Sequence, residues 1–352
     1  MKLDSHKRIR VNYILWERND AIGKVTSNYL SHLQSKIDLN IILLDARSKN
    51  KPLMYLKNLL KISRGLLKNE IIHIEEPTNI ESNLLLIFKN KKSVLTAHHV
   101  DSKSWKVINN ISFLKEKIKH SSVSRLVAIS KKTRQDLITQ YNIPANKIEV
   151  VYHGIDHKIF RPMNNKLKGV HKKYILYLGS ETPRKNIENL LKAFKIVSQK
   201  YPDIVLLKAG YSSGPQYREN TKKLIEKYGL KNKVIFAPEN IAEKDLPSYY
   251  SNAELFVFPS LKEGFGMPLV EAMACGCPVV TSNIAPMNEI AQGQELVNPL
   301  SPEEIAKGMI KILSNKKYKE KLIKNGLERA KDFDWEKSAN KILEIYKELD
   351  KK

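Results

Sequence analysis

Cysteine is almost absent from this chain of 352 residues, and its two cysteines, Cys275 and Cys277, are separated by a single residue. A disulfide between them would be badly strained, and two thiols alone are too few ligands for a structural zinc site. The sequence therefore excludes a disulfide-rich secreted domain. It predicts a cytoplasmic protein in which both thiols are small buried side chains.

Long hydrophobic runs and one common cofactor motif are also missing. No apolar stretch approaches the roughly 18 residues that a membrane span requires. The residues after Met1 lead into only a short apolar run, which argues against a signal peptide. No G-x-G-x-x-G follows the first predicted strand, so a dinucleotide-dependent dehydrogenase is disfavoured.

Positive charge, by contrast, is in excess. The chain has 61 Lys and Arg against 37 Asp and Glu, a formal net charge of +24 that is spread over both halves. Such a surface favours anionic partners, namely nucleic acid, anionic lipid or phosphorylated substrates, although a general bias toward lysine explains it equally well. We find no nucleic-acid module and no basic stripe with interleaved aromatics, so no specific nucleic-acid partner is expected.

Short apolar, β-branched runs alternate with longer amphipathic stretches from one end of the chain to the other. Runs that are apolar throughout are typical of parallel strands buried on both faces. The predicted strands are Val11–Trp16, Asn40–Leu44, Ile71–Glu75, Val94–His98, Leu126–Ile129, Ile148–Tyr152, Tyr174–Leu178, Ile204–Ala209, Val234–Ala237, Leu255–Pro259 and Pro278–Thr281. This alternation predicts an α/β fold made of two doubly wound, Rossmann-like domains.

The boundary between the two domains is predicted near Arg161–Lys173, a stretch rich in Pro, Asn and Lys that lacks periodicity. The first domain then covers residues 1–165 and the second covers residues 166–333. Residues 334–352 form a C-terminal segment. Its core, Trp335–Leu349, reads as an amphipathic helix with one apolar face.

The segment richest in chemistry is 259–276, with the sequence PSLKEGFGMPLVEAMACG between a predicted strand and a helix that begins at Pro268. Glycines allow a backbone to approach a ligand closely, and the amides of a helix's first turn attract a phosphate. Glu263 and Glu271 bracket this turn, and carboxylates accept hydrogen bonds from sugar hydroxyls. The pattern favours a site for a phosphorylated sugar. The alternative is a solvated glutamate pair beside an ordinary turn.

A second candidate site lies at 179–186, GSETPRKN, again between a strand and a helix. Arg184 and Lys185 would stand at the carboxyl edge of a parallel sheet, where such sheets bind ligands. Arginine can grip a diphosphate with two hydrogen bonds, and lysine adds a point charge. Taken alone the pair is a weak signal, because a lysine-rich chain places such pairs by chance.

Taken together, these motifs resemble those of the glycosyltransferases of family four, which transfer sugars from nucleotide donors with retention. The resemblance rests on the E-x7-E pattern of Glu263 and Glu271 around Gly-Phe-Gly, on the PRKN motif that opens a helix, and on HGID at 153–156. It covers nearly the whole chain. It implies the GT-B fold, in which two Rossmann-like domains face each other across a cleft and a C-terminal helix crosses back to the first domain.

The resemblance also implies roles for residues of the second domain, which would bind the nucleotide sugar. Glu271 would bind the ribose and Glu263 would face the transferred sugar. Arg184 and Lys185 would neutralise the diphosphate, beside Ser180, where many members have arginine. The remaining donor contacts would be those of the glycine turn and the helix after it, namely Phe265, Gly266, Met267 and Leu269.

In the first domain, which would be the acceptor side, the resemblance implies two contacts to the donor. Gly23 matches a glycine loop that faces the donor phosphates, and His98 matches a histidine that reaches the sugar. His99 stands where an aspartate is often found, which leaves open which of the two histidines faces the sugar. His153 is expected to be a packing residue.

The family resemblance predicts a hexose transfer from a UDP- or GDP-sugar to a hydroxyl of a glycan or lipid-linked acceptor. No cofactor and no metal are expected, because no D-x-D motif is placed for the donor. A sugar-nucleotide isomerase or a phosphorylase of the same fold is the alternative, and a basic nucleic-acid-binding protein is the remote one. Two basic amphipathic stretches, Lys51–Lys68 and Ser104–Lys119, are either ordinary helices or a peripheral docking surface for an anionic membrane.

Overall fold

The computed structural model describes residues 8–16, 21–45, 54, 57–62, 70–75, 91–98, 121–164 and 172–351. The chain forms two compact units, an N-terminal unit of Met1–Gly154 and Trp335–Lys352 and a C-terminal unit of Ile155–Asp334. The chain leaves the N-terminal unit before the predicted boundary region, because the residues after Gly154 bond within the C-terminal unit. The N–H of Ile155 donates to the carbonyl of Phe333 at 3.2 Å, and that of Met163 donates to the hydroxyl of Ser251 at 3.0 Å.

The N-terminal unit is built on a parallel sheet in the order β2-β1-β3-β4-β5-β6. Its strands are β1 (Arg10–Trp16), β2 (Asp38–Leu44), β3 (Ile71–Glu75), β4 (Ser93–Ala97), β5 (Arg125–Ala128) and β6 (Ile148–Val150). Helices α1 (Ala21–Leu33) and α2 (Lys131–Tyr141) connect them, and the last helix of the chain, α10 (Trp335–Asp350), belongs to this unit. Strands β3 and β4 are buried along their whole length, as their apolar runs predict.

The helix α10 packs in the N-terminal unit through the apolar face that its sequence pattern indicates. Trp335, Ile342 and Tyr346 are buried in one apolar cluster with Tyr29 of α1 and Val11 of β1. The ring of Trp335 meets that of Tyr29 edge-on, with centroids 4.9 Å apart. Burial of this stripe, at roughly 1.5–3 kcal/mol for each large side chain, holds the chain end on the unit.

The C-terminal unit has a second parallel sheet, in the order β12-β11-β10-β7-β8-β9. Its strands are β7 (Tyr174–Leu178), β8 (Val205–Ala209), β9 (Val234–Phe236), β10 (Leu255–Phe258), β11 (Val279–Ser282) and β12 (Glu295–Val297). Its helices are α3 (Ile187–Lys200), α4 (Pro215–Lys227), α5 (Leu246–Ser251), α6 (Met267–Ala274), α7 (Met287–Ile290), α8 (Pro302–Ser314) and α9 (Lys316–Ala330). The prediction of two doubly wound α/β domains is confirmed.

Two local differences from the sequence predictions have simple causes. Strand β12 was not predicted, because it has only three residues and one of them is Glu295. Helix α6 begins at Met267, so Pro268 occupies its second position.

Cys275 and Cys277 are both buried, and burial raises the pKa of each thiol far above its ordinary value, as expected for inert core residues.

Candidate active site

The residues around Arg184 and those around Glu263 meet at the point where the strand order of the C-terminal sheet reverses. Strand β7 pairs with β8 on one side and with β10 on the other, so the loops after β7 and β10 open beside each other. The N–H of Leu261 donates to the carbonyl of Arg184 at 2.8 Å, which ties the two loops together. Parallel sheets of this type bind ligands at such a reversal point.

Asn186 fixes the loop after β7. Pro183–Lys185 forms a single 3₁₀ turn, and Asn186 follows it with a left-handed backbone at φ 59°. The buried Asn186 amide donates to the carbonyl of Pro259 at 3.0 Å and to that of Pro299 at 2.7 Å. One side chain therefore connects β7, β10 and the segment after β12.

We expect Asn186→Ala to lower the free energy of unfolding by about 2–4 kcal/mol, because the carbonyl of Pro259 loses the Asn186 donor, that of Pro299 keeps only its bond from Asn189, and alanine resists the left-handed region. Asn186→Gly is the matched variant, since it loses the same hydrogen bonds but tolerates the backbone, and it should be about 1 kcal/mol less damaging. Urea denaturation monitored by circular dichroism measures both. Equal losses in the two variants would contradict the backbone part of the argument.

Glu263 is held between two cations. Its carboxylate accepts from Arg184 Nη1 at 2.9 Å and from Lys185 Nζ at 2.6 Å. The side chains of Glu263 and Lys185 are 9% and 10% exposed, whereas that of Arg184 is 50% exposed. The cluster thus has two positive charges for one negative charge, and a further anion would complete its balance.

The two cations differ in how much water surrounds them. Burial lowers the pKa of Lys185 from its ordinary value, and the neighbouring carboxylate of Glu263 opposes that change. The ammonium also lies 4.7 Å from the ring centre of Phe258, within the range of a cation–π contact. A poorly hydrated ammonium such as that of Lys185 interacts with an anion more strongly than an exposed cation does.

The predicted glycine turn lies beside this cluster. Gly266 has φ 100°, and a Cβ there would stand 3.0 Å from Leu269 Cδ1, so glycine is required. Gly266 is the N-cap of α6, which begins at Met267, while Phe265 is buried and meets the ring of Phe333 edge-on. Leu269 is buried and its N–H donates to the carbonyl of Gly266 at 2.9 Å. Leu269 therefore shapes the turn through packing.

Glu271 is one turn into α6, as its spacing from the glycines predicts. Its carboxylate accepts a hydrogen bond from the hydroxyl of Tyr250 at 2.7 Å. Burial and the charge of Glu271 raise the pKa of Tyr250 well above its ordinary value, so that phenol remains a donor. Tyr250 thus orients the carboxylate, and the sequence analysis did not single it out.

A buried ion-pair cluster supports the loop that contains Ser180. Glu181 is buried and accepts from Lys208 at 2.8 Å and from Arg218 at 2.7 Å. The carbonyl of Ser180 accepts from the hydroxyl of Tyr177 at 2.8 Å. Sequence reasoning missed this cluster, although one signal was available: Lys208 interrupts the otherwise apolar run of β8.

In the N-terminal unit the two predicted contacts lie near the carboxyl edge of the sheet. Gly23 belongs to the first turn of α1, so it is helical. His98 directly follows β4 and its Nε2 lies 2.6 Å from the carboxylate of Glu75, the last residue of β3. His153 is buried, and its ring centre is 5.5 Å from that of His98. His99 and residues 104–119 lie outside the described residues, as does most of 51–68.

The described ranges contain neither a metal-binding cluster nor a membrane-spanning helix. Within them, no three His, Cys, Asp or Glu side chains are grouped closely enough to hold a metal ion. None of the helices in the same ranges is long and apolar enough to cross a membrane.

Comparison with protein families explains why these motifs occur together. The model described as "Glycosyltransferase Family 4" matches residues 32–159, and the model described as "Glycosyl transferases group 1" matches residues 161–329. The chain belongs to glycosyltransferase family four. It is thus a transferase, and the two models meet close to the boundary between the structural units.

Individual relatives of this glycosyltransferase include O-antigen chain mannosyltransferase B from Escherichia coli, which is 27% identical over 76% of this chain and 73% of its own length. The serotype-specific mannosyltransferase WbdA from the same species is 30% identical over 64% of this chain, and the match spans only 29% of that protein. Sucrose-phosphate synthase from Thermosynechococcus elongatus, at 21% identity, superposes with a TM-score of 0.78 over 97% of this chain and 99% of its own. HepE from Anabaena, solved with UDP and glucose, gives a TM-score of 0.78 at 17% identity, over 96% and 98%. These superpositions confirm the GT-B fold.

Proposed function

We propose that this glycosyltransferase moves a hexose from a UDP- or GDP-linked donor to a hydroxyl of a glycan or lipid-linked acceptor, with retention and without a metal. Mannose is the favoured hexose, because the sequence relatives named above are mannosyltransferases. One observation carries the proposal. Glu263, Arg184 and Lys185 form a cluster with an excess positive charge, next to a glycine turn and the amide end of α6.

The donor would be held by groups with complementary chemistry. Its diphosphate would bind Arg184, Lys185 and the amides of Gly266 and Met267, since guanidinium, ammonium and helix-end N–H groups all favour anions. Its ribose hydroxyls would donate to Glu271. In the N-terminal unit, Gly23 and His98 remain the predicted contacts to the phosphates and the sugar.

In the proposed reaction the bond between the sugar C1 and the phosphate oxygen breaks, and its electron pair leaves with the nucleoside diphosphate. The acceptor hydroxyl attacks C1 from the same face, and its proton passes to a leaving phosphate oxygen. The charge that develops on that oxygen is stabilised by Arg184 and Lys185, which are in place before the reaction starts. No protein nucleophile is required in this route.

The place of action would be the cytoplasm, with docking on an anionic membrane when the acceptor carries a lipid. The support is the net charge of +24 and the exposed Leu59 and Leu60 beside Lys57 and Lys61 in the helical residues 57–62. Co-sedimentation with phosphatidylglycerol vesicles, compared with phosphatidylcholine vesicles, measures this preference.

The donor site is tested by calorimetric titration with UDP, GDP and ADP. We expect micromolar affinity for one of them, and at least a 30-fold loss in Glu271→Ala, because the ribose hydroxyls lose a charged acceptor. Glu254→Ala is the matched control, since Glu254 precedes β10 at the opposite edge of the same sheet and pairs with Lys319. Wild-type protein that binds none of the three nucleotides would refute the proposed donor. Consumption of a nucleotide sugar that yields an isomer without any acceptor would indicate an isomerase.

A further inference from the structure

Glu75 is a buried carboxylate that no motif of the sequence singled out. It ends β3 and is 3% exposed. It accepts hydrogen bonds from the hydroxyl of Tyr13 and from Nε2 of His98, the latter at 2.6 Å. Burial of a carboxylate costs free energy unless the group is hydrogen-bonded, so Glu75 depends on its bonds to Tyr13 and His98.

His98 has the largest favourable effect on the charged form of Glu75. Burial raises the pKa of Glu75, but the charge and hydrogen bond of His98 outweigh it, and the net result is a lowered pKa. Burial lowers the pKa of His73 to about 4 and that of His153 to about 3, so both rings are neutral near pH 7. Among the described residues, His98 is the histidine whose ring nitrogen is hydrogen-bonded directly to the Glu75 carboxylate.

The side chains around Glu75 and His98 are joined to one another by hydrogen bonds and ring contacts. His73 lies between the hydroxyl of Tyr346 and that of Thr96, with Nε2 2.7 Å from Thr96 Oγ1. The ring of Tyr13 stacks at a tilt on that of His73, with centroids 4.5 Å apart. His153 lies 3.1 Å from the hydroxyl of Tyr29. Tyr13, which donates to Glu75, therefore packs on a histidine ring that is itself hydrogen-bonded on both sides.

We propose that Glu75 is a positioning residue for the reaction, which fixes the ring plane of His98 and keeps the proton on its Nε2. The proposal rests on the proposed function for its kinetic consequence, because His98 is the predicted contact to the transferred sugar. A carboxylate that sets the tautomer of a histidine in this way can affect turnover strongly without touching the substrate.

The kinetic test compares Glu75→Met, Glu75→Gln and Glu70→Met. Methionine fills the space of Glu75 but accepts no hydrogen bond from N–H, whereas the glutamine amide oxygen still does. We expect kcat of hexose transfer to fall about 30- to 100-fold in Glu75→Met and no more than about fivefold in Glu75→Gln. Calorimetric affinity for UDP or GDP should stay within twofold, because neither Glu75 nor His98 is among the proposed contacts to the nucleotide.

Glu70→Met is the matched control for a buried glutamate of the same segment. Glu70 precedes β3 at the other edge of the sheet and accepts from Asn12 at 2.7 Å, with no histidine involved. Its kcat should stay within twofold of wild type. Turnover of Glu75→Met within threefold of wild type would overturn the proposal, as would an equal loss in Glu70→Met.

A second measurement is independent of turnover and of the folding of Glu75→Met. Long-range ¹⁵N–¹H spectra of the imidazoles show which nitrogen carries the proton, and His98→Gln assigns the His98 signals. We expect a proton on Nε2 of His98 in wild type at pH 8, with a mixture of both tautomers in Glu75→Gln. A proton on Nδ1 in wild type overturns the positioning role. Inactivity of wild type toward all nucleotide sugars, with the expected spectrum, refutes the proposed function alone.

Discussion

Replacement of Lys185 by methionine is expected to lower kcat of hexose transfer about 1000-fold. The ammonium of Lys185 is largely buried and is fixed by Glu263 and Phe258 before any ligand arrives. It can therefore stabilise the leaving diphosphate without reorganising water, and loss of one such preorganised donor typically lowers kcat by about 10²–10³. Steady-state kinetics with saturating donor and acceptor measures the effect.

The controls for Lys185→Met separate electrostatics at the site from a general loss of charge. Lys192→Met removes an exposed lysine of α3 that pairs with Glu188 at 3.1 Å, and it should leave kcat within twofold. Arg184→Met should cost less than Lys185→Met, because half of the Arg184 side chain is in water, where charges are screened. A loss in Arg184→Met that exceeds that of Lys185→Met would contradict this ranking.

Glu263→Gln is expected to change binding and turnover in opposite directions. Without the carboxylate, Arg184 and Lys185 are no longer partly neutralised, so affinity for UDP or GDP should rise about tenfold, or about 1.4 kcal/mol. At the same time kcat should fall about 100-fold, because the carboxylate that is predicted to face the transferred sugar has lost its charge. Calorimetry with the nucleotide and initial-rate kinetics with the nucleotide sugar measure the two effects.

Glu188→Gln provides the matched control, since Glu188 is the exposed partner of Lys192 on α3. It should change neither the nucleotide affinity nor kcat beyond twofold. Weaker nucleotide binding in Glu263→Gln, as expected for Glu271→Ala, would show that Glu263 holds the nucleotide itself. The assignment of Glu263 to the sugar would then be wrong.

The repeating pattern of the sequence predicted the two parallel sheets because apolar runs report burial on both faces of a strand. Nine of the eleven predicted strands needed only small changes at their ends, while Ile71–Glu75 and Tyr174–Leu178 have the same bounds in the structure. The short edge strand β12 has too few apolar residues to produce that signal. The exit of the chain from the N-terminal unit at Gly154 was not predictable either, because it depends on contacts of Ile155 with residues far along the chain.

In the candidate site, too, some residues were predictable from the sequence and others were not. The PRKN and E-x7-E motifs indicated Arg184, Lys185, Glu263 and Glu271, since glycines and charges adjacent in sequence carry a local pattern. The roles of Asn186, Tyr250 and Glu75 arise from partners that are distant in sequence, such as Pro299 for Asn186. Each of these side chains joins strands or loops whose proximity exists only after the sheets have formed.

The position of α10 has a consequence for how the protein is made. The N-terminal unit includes helix α10, which is synthesised only after the whole C-terminal unit, residues Ile155–Asp334. At about 5–20 residues per second, these residues take the ribosome roughly 10–40 s. During that time the apolar surface of α1 that receives Trp335 is uncovered, and His73 lacks its contact with Tyr346. We therefore expect the emerging N-terminal unit to expose apolar surface of the kind that chaperones bind, until Trp335–Asp350 have left the ribosome.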